Sequence, residues 1–270
     1  MRAYMEDTRR RTEIEVFGVN YERFALSSLI EKLCRTLEIE TVAELPAYGA
    51  KAAPSLYSLG FGLCGKQVTL VSGVDEYKKE WDRLNIGGNV RFVAQKDVLH
   101  TDFDDNSFDF VWNFAFIPTA HDPDALIEEM KRISRRYVAV FSVNAGNVGY
   151  PIHSILHKIN KIPWTHGDRR YNRRSFVTKR LESHGLSIVK KGFVDCPLWP
   201  DSLGFRDMRL HKSNVTFENV QWVVPYVEML KENKIPMWMK IMYACWESLP
   251  MLSFIKTLYS HIFYVVAEKT

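Results

Sequence analysis

The sequence predicts an α/β fold: one principal domain built on a parallel sheet. Three observations carry this. Short runs rich in β-branched and aromatic residues alternate with helical stretches over residues 40–143, as right-handed β–α–β crossovers require. One run, YVAVFSV (137–143), is apolar throughout, as a strand covered on both faces would be. The chain has 270 residues, 46% hydrophobic and 25% charged, enough for one substantial core of ordinary composition.

The elements follow in order. Residues 1–20 are polar and charged and read as an N-terminal arm. From Tyr21, ERFALSSLIEKLCRTL sets Phe24, Leu26, Leu29, Ile30, Leu33 and Leu37 at helical spacing. TVAEL, ended by Pro46, is the first strand. A small-residue segment follows, in which Gly60 is placed to end a helix. QVTLVS is the second strand, DEYKKEWDRL a polar helix, and GNVRFVAQ the third strand. FDDNSFDFVWNFAF holds a turn and the fourth. Asp122-Pro123-Asp124 opens the helix DALIEEMKRIS, with Asp122 or Asp124 as its cap. YVAVFSV is the fifth strand. The alternation then breaks. Residues 144–171 read as loop, with Gly146, Gly149, Pro151 and Pro163. A helix near Asn172 and the strand LSIVKKGFV restore the pattern. Residues 196–260, rich in Trp, Met and Pro, interrupt it again, and HIFYVVAEK closes the chain as a strand. The expected organisation is therefore an arm (1–20) and a domain (21–270) with insertions at 144–171 and 196–260.

The formal net charge of +4 is small for this length. It gives no reason to expect a nucleic-acid partner, although it permits an anionic ligand. Cys34, Cys64, Cys196 and Cys245 are scattered with no C-x-x-C pair, as expected of free thiols in a reducing, cytoplasmic location. MRAYMEDTRRRTEIE lacks the apolar stretch of a secretory signal, and no long uncharged run predicts a membrane-spanning helix.

A parallel sheet binds ligands at the carboxyl ends of its strands, so the loop after the first strand (44–50) is the first candidate. The segment NVRFVAQKDVLHTDFDDNSFDFVWNFAFIPTAHDPDALIEEMKRIS contains a strand, an Asp after it, a D-x-S-F-D turn, a second strand and a helix opened by a D-P step. In this ordered set the chain resembles the class I S-adenosyl-L-methionine (SAM) dependent methyltransferases. The likeness runs from about Thr41 to Val143, with a looser echo beyond. The resemblance implies a Rossmann-like, doubly wound sheet of seven strands, SAM as cofactor and methyl transfer as the reaction.

The family's first loop reads acid-x-Gly-x-Gly-x-Gly. Here the acid matches Glu44, while the glycine positions fall on Pro46, Tyr48 and Ala50. Gly49 is one residue out of register. Pro46 has no N–H, and Tyr48 brings a ring to where the cofactor normally lies. The functional reading is a reshaped loop in which Glu44, Ala47, Tyr48 and Gly49 still cradle the methionine part. The opposing reading is a loop that has lost the cofactor. The family's ribose-binding acid falls on Ser72, with Asp75 and Glu76 just beyond. Asp97 matches the acceptor of the adenine amine, and Val98 the neighbouring N–H. Asn113 and Phe114 end the fourth strand, facing the transferred methyl in the family.

His121, close after that strand, is the candidate for general acid–base work. His153 and His157 stand four apart and would share a helix face, and His166 follows. With no Cys or acidic cluster and no H-E-x-x-H, these histidines read as polar substrate contacts or an exposed helix face rather than metal ligands. His153, His166 and Trp199 are the expected lining of an acceptor site between the two insertions, whose aromatics form a lid or a small subdomain core. KIPMWMKIMYACW mixes lysines with large apolar residues and suits a peripheral membrane contact. The reading is methyl transfer to a small or lipid-like acceptor, in a cytoplasmic protein or one peripheral to the membrane. The alternative is a non-catalytic binding or scaffold protein on the same fold. A dinucleotide oxidoreductase is disfavoured by the missing G-x-G-x-x-G. The oligomeric state is not readable.

Overall fold

A computed structural model of the chain describes residues 11–48, 52–199, 220–249 and 253–270. Its strands are β1 (Arg11–Ile14), β2 (Thr41–Glu44), β3 (Gln67–Val71), β4 (Val90–Val93), β5 (Phe108–Phe114), β6 (Ser134–Val143), β7 (Leu186–Val194), β8 (Val220–Val223) and β9 (Ile262–Lys269). Seven of them form one sheet in the order β4-β3-β2-β5-β6-β9-β7. All pairs from β4 to β6 are parallel, and β9 lies antiparallel between β6 and β7. This is the Rossmann-like, seven-stranded architecture expected from the resemblance.

β5 shows why the sheet is two-sided. Phe110, Trp112 and Phe114 enter one core cluster with Leu26 and Ile30 of α1 (Phe17–Thr36) and Trp81 of α3 (Lys78–Arg83). Val111 enters the other, with Leu126 and Met130 of α4 (Pro123–Ile133) and Val177 and Leu181 of α6 (Arg174–Ser183). The period of two in the sequence thus becomes two covered faces. Asp122 is the α4 cap, its Oδ1 accepting from the N–H groups of Asp124 and Ala125 at 3.0 Å each, with Pro123 in the first turn.

Four local expectations change. The helix after the arm begins at Phe17, not Tyr21. Within the arm, Arg11–Ile14 pairs in parallel with Val220–Val223 as a small second sheet. Gly60 does not end a helix but lies inside α2 (Leu59–Leu63), where a Cβ would stand 3.0 Å from the Ser27 Cα. It is therefore a close-approach glycine between α1 and α2. Residues 144–171 are not all loop. Gly149–Ile159 is a helix, α5, which keeps Pro151 in its first turn, where a missing N–H costs no helical bond. No described helix is long and apolar enough to cross a membrane.

Candidate active site

After β2 the chain winds to one side through β3 and β4, then returns to β5 and β6 on the other. The carboxyl ends of β2 and β5 therefore flank the switch point, where an open α/β sheet binds its ligand. Leu45 N–H donates to the Trp112 carbonyl at 2.9 Å. The Asn113 amide donates to the Leu45 carbonyl at 2.8 Å and accepts from the Ile117 N–H at 3.0 Å. Asn113 is fully buried, and these bonds engage it in fixing the two loops. Phe114 stacks on Tyr57 with centroids 4.0 Å apart and belongs to the core below the crevice.

The loop that lacks the glycine pattern is held by side chains. Glu44 is buried and accepts from the Ser58 hydroxyl at 2.6 Å, and Ser58 accepts from the Trp112 indole at 3.0 Å. Burial pushes the Glu44 carboxyl up to about 7, against the opposing pull of Ser58 and of the Arg23 charge. Arg23, also buried, donates to both carboxyl oxygens of Glu15, at 2.9 and 2.7 Å, and to the carbonyls of Ala52 and Ala53, at 3.0 and 3.1 Å. Its guanidinium lies 4.5 Å over the Tyr57 ring. Ala53 and Ser55 take positive φ, 39° and 66°, without being glycine. The Ser55 hydroxyl donates to the Ala47 carbonyl at 2.7 Å and accepts from the Val74 N–H at 2.8 Å. Ala47 N–H is itself bonded to the Val71 carbonyl at 2.8 Å. Gly49 lies outside the described residues.

Ser72, at the end of β3, exchanges hydrogen bonds with the backbone of Gln95, at 3.3 and 3.2 Å. Asp75 is exposed in the short turn Asp75–Tyr77 that follows. Asp97 is exposed beyond β4. Its carboxyl accepts from the Leu99 N–H at 2.8 Å and faces His100 Nδ1 at 3.0 Å, and the His100 and Leu99 bonds hold it below the usual carboxylate range. Val98 packs against the α4 side of the core. Tyr48 meets Phe116 edge-on at 5.3 Å, and burial, then the Asp97 charge, pushes its hydroxyl pKa up. Tyr48, Phe116 and Asp97 are thus brought together over the switch point. A cleft of about 850 Å³ lies at the other edge of the sheet, among Thr41, Asp109, Arg135 and Arg136, away from this chemistry.

His121 is exposed just before α4. His153 and His166 converge, but Trp199 does not join them: it packs on Phe17, Tyr21 and Trp238, at 5.1, 5.7 and 6.1 Å. Sequence reasoning missed a buried polar group where β7 ends and β9 begins. Glu247 accepts from the Tyr21 hydroxyl at 2.7 Å and from the N–H groups of Asp195 and Cys196 at 2.9 and 3.1 Å, while His261 Nδ1 lies 2.8 Å from Asp195. Burial, then Asp195, pushes Glu247 up to about 7. Its members span more than two hundred positions, and no local pattern announces them.

Residues 52–140 match the family model described as a methyltransferase domain. No curated protein sequence matches the chain significantly. Among solved structures, the magnesium protoporphyrin IX methyltransferase of Synechocystis PCC 6803, with bound S-adenosylhomocysteine, is 13% identical over 93% of this chain and 84% of that one, with a TM-score of 0.53. The cyclase SpnF is 14% identical over 90% of this chain and 80% of that one, also at 0.53. One neighbour being a cyclase, the likeness fixes the fold and not the reaction. The methyltransferase-domain match takes in β3, β4, β5 and most of β6, the part of the sheet beside the switch point.

Proposed function

We propose that the enzyme transfers the methyl group of SAM to a small or lipid-like acceptor, and that its side-chain-held loop binds the cofactor more weakly than a glycine loop would. Asp97 and Val98 would hold the adenine, Asp75 beside Ser72 the ribose, and Ala47, Tyr48 and Gly49 the methionine part, with Glu44 and Asn113 positioning the loops. The fit is good at the adenine end, where Asp97 is exposed beside the Tyr48–Phe116 wall. It is poorer at the ribose, where Ser72 offers no carboxylate and its hydroxyl is engaged with Gln95. The cofactor supplies an electrophilic methyl group. The chain's task is alignment, with His121 the candidate to take a proton from the acceptor.

The observation that favours a lipid-like acceptor is a row of exposed apolar residues along α5: Val148, Ile152, Ile155 and Ile159. Their spacing puts them on one helix face. Val148 N–H bonds the Leu258 carbonyl at 3.1 Å, joining this row to the exposed Phe254 and Leu258. Exposed Lys158 and Lys161 flank it, as at a peripheral membrane contact. Calorimetry and thermal unfolding with SAM and S-adenosylhomocysteine test the cofactor half. Saturable heat with a rise in melting temperature is expected. No heat and no shift at millimolar ligand would favour the alternative, a scaffold that has lost normal SAM binding.

A further inference from the structure

We propose that His153, His157 and His166 form a binding site for a divalent transition cation of the zinc type, with the fourth position left to water or to an ionisable oxygen or sulfur group of the acceptor. Three imidazoles and an open position are the ligand set of catalytic rather than structural zinc sites. One potential ligand atom from each ring lies within 4.8 Å of the others. His153 Nε2 and His157 Nε2 are 3.2 Å apart. A tetrahedral site with bonds of about 2.0–2.1 Å sets neighbouring ligand atoms about 3.3–3.4 Å apart, so that edge is already close to size.

The chemistry of the surroundings points the same way. His157 Nδ1 faces the carbonyls of Ile162 and Pro163, at 3.2 and 3.0 Å. Both are acceptors, so Nδ1 carries the proton and Nε2 presents a lone pair. A ligating histidine is oriented in this way by its outer partner. His153 and His157 are 6% and 2% exposed, so their ring nitrogens lie away from bulk water. The Trp164 ring packs on all three imidazoles, with centroids at 5.3, 5.1 and 4.9 Å, and the Arg169 guanidinium lies 4.0 Å over its face.

The segment carrying His166 is also fixed. Gly167 has φ +68°, and a Cβ there would lie 1.9 Å from the Pro118 carbonyl. That carbonyl accepts from the Asp168 N–H at 2.7 Å. Gly167 thus allows the segment to lie against the loop after β5, on the carboxyl edge that holds the cofactor crevice. A cation there would lower the pKa of a bound hydroxyl or thiol, sharpening it as a nucleophile.

The test uses the full chain, stripped with chelator and titrated with zinc and with divalent cobalt as a spectroscopic substitute. The expected result is one equivalent bound, with the visible absorption of a tetrahedral nitrogen and oxygen site and a raised melting temperature. His157→Ala and, should it fail to fold, His166→Gln should weaken zinc binding by more than about 100-fold, beyond what losing a partner that only orients a ligand costs. His121→Ala should leave zinc binding unchanged. The Cys34 and Cys64 side chains are hydrogen-bonded neighbours, and this bond draws the Cys64 thiol down to about 7, so thiolate-to-cobalt charge transfer would assign the ion to that pair and overturn the proposal. Zinc binding unchanged by both histidine variants, or no stoichiometric binding at all, would overturn it too. S-adenosylhomocysteine binding, measured in parallel on His157→Ala, should match the parent, which separates this proposal from the cofactor reading.

Discussion

The switch point and the segment 149–168, which packs on the loop after β5, use polar side chains in opposite ways. At the switch point, Glu44, Ser58, Asn113, Ser55 and Arg23 bond to the chain itself and hold two loops in place. In that segment His153 and His157 lie 3.2 Å apart through their Nε2 atoms and, with His166, pack around Trp164. The first arrangement replaces conformational freedom: a backbone lacking the family's glycines keeps its course because buried hydrogen bonds define it. The second concentrates ligand atoms where the sheet does not need them for support. Groups that shape a site and groups that could act on a ligand are thus separated in space.

The largest expected effect breaks the first arrangement. Arg23→Met leaves the buried Glu15 carboxylate without its guanidinium and removes the hydrogen bonds that Arg23 gives the Ala52 and Ala53 carbonyls. Removing one member of a buried pair costs about 3–5 kcal/mol. Urea unfolding measures it, and a loss below about 1 kcal/mol would mean that the loop is held by something else. His157→Ala should fall well short of this, since it removes no buried ion pair.

A second contrast is in pH. Glu44 and Glu247 are both pushed up to about 7 from an ordinary value of 4.5. A raised acid binds its proton more tightly folded than unfolded. Its contribution is therefore fully present below about 4.5 and is lost as pH rises through about 7, on the order of 3 kcal/mol for each group. The parent should be more stable at pH 5 than at pH 8 in urea unfolding. Glu44→Gln and Glu247→Gln should each shrink that difference. A difference untouched by either would show that both carboxylates are ionised in the folded protein.

These residues also mark what the sequence could tell. The parallel strands were legible because their apolar, β-branched runs encode burial on both faces. Asp122 was legible because a cap is local chemistry. Helix α5 was not, because its glycine and proline read as loop, although the spacing of His153 and His157 suited a helix. The insertion of β9 antiparallel between β6 and β7 depends on long-range pairing that no local pattern records. The glycine-poor loop looked damaged because its supports, Arg23 and Glu15, lie far upstream of it. The position of Asp97 came from the family pattern, while its engagement with Leu99 and His100 came only from the structure.

Asp97 gives the third test. Asp97→Ala should weaken S-adenosylhomocysteine binding about tenfold by calorimetry, the effect of losing one hydrogen-bond partner. Asp75→Ala should do less. Binding by a folded Asp97→Ala chain equal to the parent would move the adenine site away from β4.

The smallest effect on stability belongs to the apolar row on α5, and it sharpens the comparison most. Ile152 and Ile155 are 47% and 53% exposed, on a helix whose other face buries His153 and His157. The fold gains little from them, so Ile152→Ser with Ile155→Ser should change stability by within about 0.5 kcal/mol for each exposed site. Their value would lie in contact with something apolar, because a soluble surface gains nothing from a continuous apolar stripe. Sedimentation with anionic phospholipid vesicles should retain the parent and lose the double variant, with S-adenosylhomocysteine affinity unchanged in both. Lys158 and Lys161 beside the row make that association weaken with salt. Equal retention of parent and variant would remove the membrane contact. A parent that never sediments would do the same, leaving a small acceptor as the reading and the histidine cluster as the group that meets it.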